Sequence, residues 1–186
     1  MPIYSSMEDF LGELQAFAVT EFSPSEVYRY LSGTLIKPDS LQTYISFRPD
    51  RYTRNLVYKD ETFELLVICW GIGQRAPIHG HEGEYCWTRV ERGSLRITNY
   101  RELSEAPLVL DRLKEPVNGE RGYLDGPADI HEVENLASFG QAAVSLHVYS
   151  RPYSECDIYD LAKGEKRRIR LAYDTMFGKP VSPQAS

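Results

Sequence analysis

Cysteine is scarce in this sequence: three residues in 186, an odd number with no framework spacing. That excludes a disulfide-stapled fold and fits a reducing compartment, so a cytoplasmic location is expected. Long apolar runs are missing too. None approaches the roughly 20 residues needed to cross a bilayer, and no membrane partner is expected. The first ten residues carry Glu8 and Asp9 and no basic segment, so no secretory leader is expected. Basic excess is also lacking: 21 Lys and Arg stand against 27 Asp and Glu, a net charge of −6. A polyanion would be repelled, which excludes nucleic acid as a partner. The one basic run, 163–170, reads as the solvated side of a strand.

What the chain does have is length for one domain with a sizeable core, and 13 tyrosines, which favour strands. The expected organisation is a single domain, 1–186, with a helical cap over 1–45, a β-barrel over 50–177 and a flexible tail over 178–186. Helical spacing of Phe10, Leu11, Leu14, Phe17 and Ala18 after a Ser5 or Ser6 cap predicts a helix over 6–19. Ser23, Pro24 and Glu26 predict a second, opened by a capping box, and a short third is expected over 38–44. Beyond residue 51, segments rich in Val, Ile, Leu, Tyr and Thr alternate with Gly, Pro and Asn. Strands are predicted over 53–58, 63–70, 85–92, 94–100, 108–113, 122–124, 131–135, 142–149, 158–161 and 167–173, with turns at Gly93 and Gly164. A helical cap followed by many short antiparallel strands implies a mainly β, double-sheet jelly roll of the cupin type.

Two of the four histidines form His79-Gly80-His81. Residues two apart on a strand face the same side, so both rings can enter one cavity. Gly73 precedes His79 and Gly93 follows His81 at the spacing of the first cupin motif. His131, which opens His131-Glu132-Val133-Glu134-Asn135, is the natural third ligand. The acidic ligand common in such sites is absent: Tyr85 and Cys86 stand in its place, and Glu82 and Glu84 are out of step. Imidazoles suit iron, zinc, copper and nickel alike, and a thiolate from Cys86 would favour zinc. His147, in an apolar strand, reads by itself as a satisfied core residue.

Several segments, in order and at similar gaps, resemble cysteine dioxygenase: Tyr52-Thr53-Arg54-Asn55-Leu56-Val57, Cys69-Trp70-Gly71, Pro77-Ile78-His79-Gly80-His81 through Cys86, His131 to Asn135, and Val144-Ser145-Leu146-His147-Val148-Tyr149-Ser150. The resemblance implies a cupin barrel in which His79, His81 and His131 hold Fe(2+). It implies that Arg54 binds the substrate carboxylate, that Tyr52 supports the pocket and that Cys156 lies near its rim. Tyr149 would face the reaction, backed by Ser145 and His147, and Cys86 would join Tyr149 in a thioether crosslink. The implied activity is oxidation of L-cysteine by O2 to a sulfinic acid, by an enzyme expected to be monomeric.

Two departures stand out. Gly80 replaces an acidic residue common between the two histidines, and Ser150-Arg151-Pro152 replaces a Ser-Pro-Pro run whose first bond is cis in the family. A cis bond before a non-proline costs roughly 2.5–4 kcal/mol, so a different path is expected after Tyr149, with Arg151 in solvent. The competing readings are a 3-mercaptopropionate dioxygenase, a zinc- or nickel-dependent cupin isomerase or hydrolase, and a non-catalytic sensor.

Overall fold

The structure, a computed structural model, describes residues 3–181. β1 (Ile3–Ser5) leads into α1 (Met7–Thr20), and α2 (Pro24–Gly33) leads into β2 (Thr34–Ile36), which pairs in parallel with β1. α3 (Pro38–Leu41) and a 3-10 turn over Gln42–Tyr44 complete the helical part. Ser6 caps α1, its Oγ accepting the Asp9 N–H at 3.0 Å. The capping box predicted at α2 does not form. Ser23 Oγ pairs instead with Ser25 Oγ at 3.1 Å, a local hydroxyl partner that competes with the backbone.

The barrel follows as β3 (Thr53–Lys59), β4 (Glu64–Trp70), β5 (Arg75–His79), β6 (Tyr85–Arg92), β7 (Ser94–Glu105), β8 (Leu108–Arg112) and β9 (Val117–Glu120). It continues with β10 (Leu124–Ala128), β11 (Ile130–Glu134), β12 (Ala143–Ser150), β13 (Glu155–Asp160), β14 (Glu165–Arg170), β15 (Thr175–Met176) and β16 (Lys179–Pro180). One sheet runs β10-β6-β12-β4-β3-β15-β16, the other β14-β13-β5-β11-β7-β8 with β9 beside β7. The two curled sheets form the cupin double-stranded β-helix.

The strand pattern departs from the prediction at several points: β1, β2, β15 and β16 are unpredicted short strands, and β13 and β14 each begin earlier than expected. β5 is additional, the strand predicted over 122–124 is replaced by β9 and β10, and β7 extends past residue 100. The tail expected to be flexible from 178 begins with β16, paired to β15, and 182–186 lie outside the described residues. β14 carries the basic run with mostly exposed side chains, as expected.

Strand alternation divides the interior. Every residue of β4 is buried, because the strand is covered on both faces. Leu65, Val67 and Cys69 face outward with Val144, Leu146 and Val148 of β12 and pack against Phe10, Leu14, Val27 and Leu31 of the helices. Each such apolar side chain contributes about 1.5–3 kcal/mol by leaving water. The intervening residues, Glu64, Leu66 and Ile68 of β4 and Ser145, His147 and Tyr149 of β12, fall on the barrel-interior face.

A buried ion pair ties the helices to the barrel. Arg89 of β6 donates to Glu91 Oε1 at 2.6 Å, to the Leu31 carbonyl at 2.7 Å and to the Thr34 carbonyl, while Glu91 Oε2 accepts the Ile36 N–H at 3.3 Å. Removing one member strands the other charge. Glu91→Ala is expected to cost about 3–5 kcal/mol in chemical denaturation, whereas an apolar replacement of both residues should recover most of it. A loss under 1 kcal/mol for the single variant would remove this role.

Candidate active site

The two sheets bring interior side chains together at one place in the barrel, His81 lying 5.7 Å from Tyr149 between ring centroids. From the second sheet come His79, at the end of β5, and His131 of β11, which face each other in register. His81 is not on the strand, as alternation had suggested, but in the turn that follows it, where Glu82 and Gly83 take positive φ of 62° and 75°. Asp129 holds this turn, its Oδ1 accepting the Gly83 N–H at 3.2 Å and the His81 N–H at 3.4 Å. The ring still converges: centroids lie 5.0 Å apart for His79 and His81, 4.7 Å for His79 and His131, and 4.6 Å for His81 and His131. One ring nitrogen from each lies within 4.8 Å of the others, and no Cys, Asp or Glu joins the group among the described residues.

Hydrogen bonds fix which nitrogens face inward. His79 Nδ1 lies 2.8 Å from the Pro77 carbonyl and His81 Nδ1 3.0 Å from the Ala128 carbonyl. A carbonyl only accepts, so both Nδ1 atoms carry the proton and both Nε2 atoms present lone pairs. His81 Nε2 and both nitrogens of His131 are buried without a partner. Two buried imidazoles with orphaned nitrogens, converging with a partly exposed third, His79, fit a divalent metal ion, whose coordination would satisfy them. Burial lowers all three pKa values, that of His79 to about 4, so the rings stay neutral and available as ligands. Glu82 is engaged elsewhere, in a bidentate pair with Arg168 at 2.6 and 2.7 Å, and Glu84 accepts the Arg151 N–H at 3.0 Å.

The first sheet supplies the facing wall. Trp70 Nε1 donates to Ser145 Oγ at 2.9 Å, Ser145 Oγ lies 2.8 Å from His147 Nε2, and His147 Nδ1 lies 3.2 Å from Tyr149 Oη and 3.2 Å from Thr88 Oγ1. With one Ser145 lone pair taken by Trp70, a satisfied line has the Ser145 hydroxyl donate to Nε2, which puts the ring proton on Nδ1, where Tyr149 Oη and Thr88 Oγ1 share it as acceptors. That leaves the Tyr149 O–H proton free for the cavity. Burial lowers the His147 pKa and raises that of Tyr149, so both stay neutral. Cys86 of β6 lies directly opposite Tyr149 of β12. Burial pushes its thiol pKa up, which keeps it protonated and outside the ligand set.

Arg54 of β3 is buried, its guanidinium 5.8 Å over the Tyr149 ring. Tyr52 stacks on Trp70 at 4.8 Å between centroids, and Cys156 of β13 is 1% exposed, inside the wall. The path after Tyr149 corrects the expectation drawn from Arg151: the Ser150–Arg151 bond is cis, as in the family's Ser-Pro run. The Arg151 N–H, which proline lacks, is the one held by Glu84, and the side chain is exposed.

Sequence reasoning passed over three residues at this site. Tyr153 packs edge-on against Tyr149 at 5.3 Å and 6.1 Å from His81, but it falls in the segment that departs from the family pattern. Trp70 was visible only as part of a motif, without its partner Ser145. Glu64 lies opposite Tyr149 on β4, and its Oε1 is 3.7 Å from Arg54 Nη2.

Comparison with known proteins agrees with this geometry. Residues 12–162 match the family model described as cysteine dioxygenase type I. Human cysteine dioxygenase type 1 is 31% identical over 167 residues, covering 88% of this chain and 83% of that protein. The Danio rerio protein of the same name is 29% identical over 182 residues, covering 94% and 89%. A family match over most of the chain, on a cupin barrel with a three-histidine centre, leads to one conclusion: the chain belongs to the cysteine dioxygenase type I family.

Proposed function

We propose that this protein oxidises L-cysteine with O2 to cysteine sulfinic acid, with Fe(2+) held by His79, His81 and His131. The observation that carries the reading is an all-imidazole group, with no acid among the described residues in it, joined through one tyrosine to a buried guanidinium: Tyr149 lies 5.7 Å from the His81 ring and 5.8 Å under Arg54. Bound iron would supply the redox chemistry that brings O2 and the thiol sulfur together. Three neutral ligands leave the ion its full charge, which suits a thiolate substrate.

The chain's own groups do the rest. Arg54 anchors the substrate carboxylate, a charge-assisted interaction of about 1.5–3 kcal/mol. Tyr149 directs its free O–H proton at Oη into the cavity, toward the carboxylate or the oxidised end of the substrate. His147, held by Ser145 and Thr88, fixes that hydroxyl. The buried walls exclude bulk water, so the polar groups that face the substrate act in a medium of low dielectric. The test is oxygen uptake by iron-loaded protein with cysteine, 3-mercaptopropionate and cysteamine in parallel. Cysteine should be consumed fastest and yield the sulfinate; no uptake with any of them would refute the reading.

The register that sets Cys86 beside Tyr149 also supports a thioether between Cys86 Sγ and a ring carbon of Tyr149, formed with loss of two hydrogens to oxygen as oxidant. Directly opposed residues on antiparallel strands have Cβ atoms about 4.5–5.5 Å apart, within reach of such a bond. Protein incubated aerobically with iron and cysteine is expected to run as two close bands on a denaturing gel. Cys86→Ala should give one band, and a single band from the parent under all these conditions would contradict the crosslink.

A further inference from the structure

Glu64 has no part in the chemistry above, yet it stands inside the pocket. Across the first sheet, Cys86, Tyr149, Glu64 and Lys59 lie opposite one another in one continuous row. Directly opposed residues share a face of the sheet, so Glu64 looks into the same cavity as Tyr149. Its side chain is 1% exposed, and neither carboxylate oxygen completes a hydrogen bond of good geometry, the Tyr173 hydroxyl being the neutral donor beside it; burial raises the carboxyl's pKa, and Arg54, Tyr173 and Lys59 pull it back down. Two cations flank it instead: Arg54 Nη2 at 3.7 Å from Oε1 and Lys59 Nζ at 3.9 Å from Oε2.

These distances are those of attraction without commitment. At 3.7 Å the guanidinium feels the charge of Glu64 but makes no hydrogen bond to it, and Arg54 Nε is itself buried without a partner. The donors of Arg54 are therefore still available to a second carboxylate. Any carboxylate that takes them must also approach Glu64, a like charge in a pocket closed to water, where repulsion is weakly screened. Lys59, half in solvent and hydrogen-bonded to Tyr173 Oη at 3.1 Å, offsets part of that charge from the far side.

We propose that Glu64 is a specificity-determining residue: an internal competitor for Arg54 that sets how tightly the pocket holds thiols bearing a carboxylate, relative to thiols without one. This rests on the thiol dioxygenase reading above. An isosteric neutral side chain at position 64 would release the full charge of Arg54 to the substrate. Loss of Lys59 would do the opposite, leaving the ion pair of Glu64 with Arg54 unopposed.

Steady-state oxygen uptake by the iron-loaded protein at pH 8 tests this with cysteine and cysteamine. Glu64→Gln is expected to lower KM for cysteine about fivefold, with kcat little changed and KM for cysteamine unmoved. Lys59→Met, on a partly exposed side chain whose loss still leaves Arg54 beside Glu64, should raise KM for cysteine about threefold and again spare cysteamine. A residue that merely supports the wall would give losses in both variants and with both thiols. An unchanged or raised KM for cysteine in Glu64→Gln, or equal shifts for the two thiols, would overturn the competitor role. So would an unchanged or lowered KM for cysteine in Lys59→Met. Absence of uptake by the parent protein would instead overturn the dioxygenase reading itself, so the two failures are distinct.

Discussion

Replacing His131 by alanine is expected to reduce bound iron from one equivalent to below about one-tenth and oxygen uptake by at least about 100-fold, since the loss of mere supporting residues already costs 10–100-fold at such sites. The reason is the isolation of the trio. Among the described residues no Cys, Asp or Glu joins the trio, and the neighbouring acids Glu82, Glu84 and Asp129 are engaged with Arg168, the Arg151 N–H and the Gly83 N–H. The fold should survive the change. Neither nitrogen of His131 has a hydrogen-bond partner, so the metal-free variant gives up no polar interaction and loses only the packing of the ring. Metal quantification after desalting, with far-UV circular dichroism as a control, checks both halves. A folded variant that keeps its iron would remove His131 from the ligand set.

The second large effect falls on Arg54. Arg54→Ala should raise KM for cysteine by about 10–150-fold, the equivalent of a charge-assisted interaction of 1.5–3 kcal/mol, while KM for cysteamine changes little. Cysteamine lacks the carboxylate, so it serves as the internal reference. The structure adds a second consequence. With Arg54 gone, the buried carboxylate of Glu64 keeps Lys59 at 3.9 Å as its one counter-charge, with the neutral Tyr173 hydroxyl beside it, and a poorly compensated buried charge destabilises the fold. Arg54→Ala should therefore melt below the parent protein, and Arg54→Ala with Glu64→Gln should recover much of the difference while cysteine binding stays weak. Equal KM changes for the two thiols would take Arg54 out of the binding role.

How much of this was legible in the residues depended on whether each feature is local. The metal trio was, because His79-Gly80-His81 and His131 carry motif spacing and because an acidic ligand is conspicuously missing. The helix Met7–Thr20 was legible from its period and its Ser6 cap. The line Ser145, His147, Tyr149 was implied by the family resemblance, with which alternation along one strand agrees; by itself His147 reads as a core residue. Features that depend on pairing were hidden. Glu64 reads as an ordinary strand-opening residue until the register sets it against Tyr149, far along the chain. β10 was misplaced because its register shifts between Asp125 and Ala128, around the cis Gly126–Pro127 bond, so no clean alternation marks it. His81 was assigned to a strand because its spacing fits one; a turn held by Asp129 brings the ring to the same place by another route. The cis Ser150–Arg151 bond ran against local preference, and only the surrounding structure, with Glu84 on the Arg151 N–H, favours that path.

Under the proposed function both atoms of one O2 molecule end on the sulfur of a thiol held beside His79, His81 and His131, which would hold the iron that supplies the redox chemistry. That outcome is tested most directly by turnover of cysteine under isotopically labelled O2 in ordinary water, with the sulfinate product weighed by mass spectrometry. Product carrying two labelled oxygen atoms is expected from the iron-loaded protein and none from its His131→Ala variant. Product carrying a single label, or label drawn from water, would contradict the proposed function.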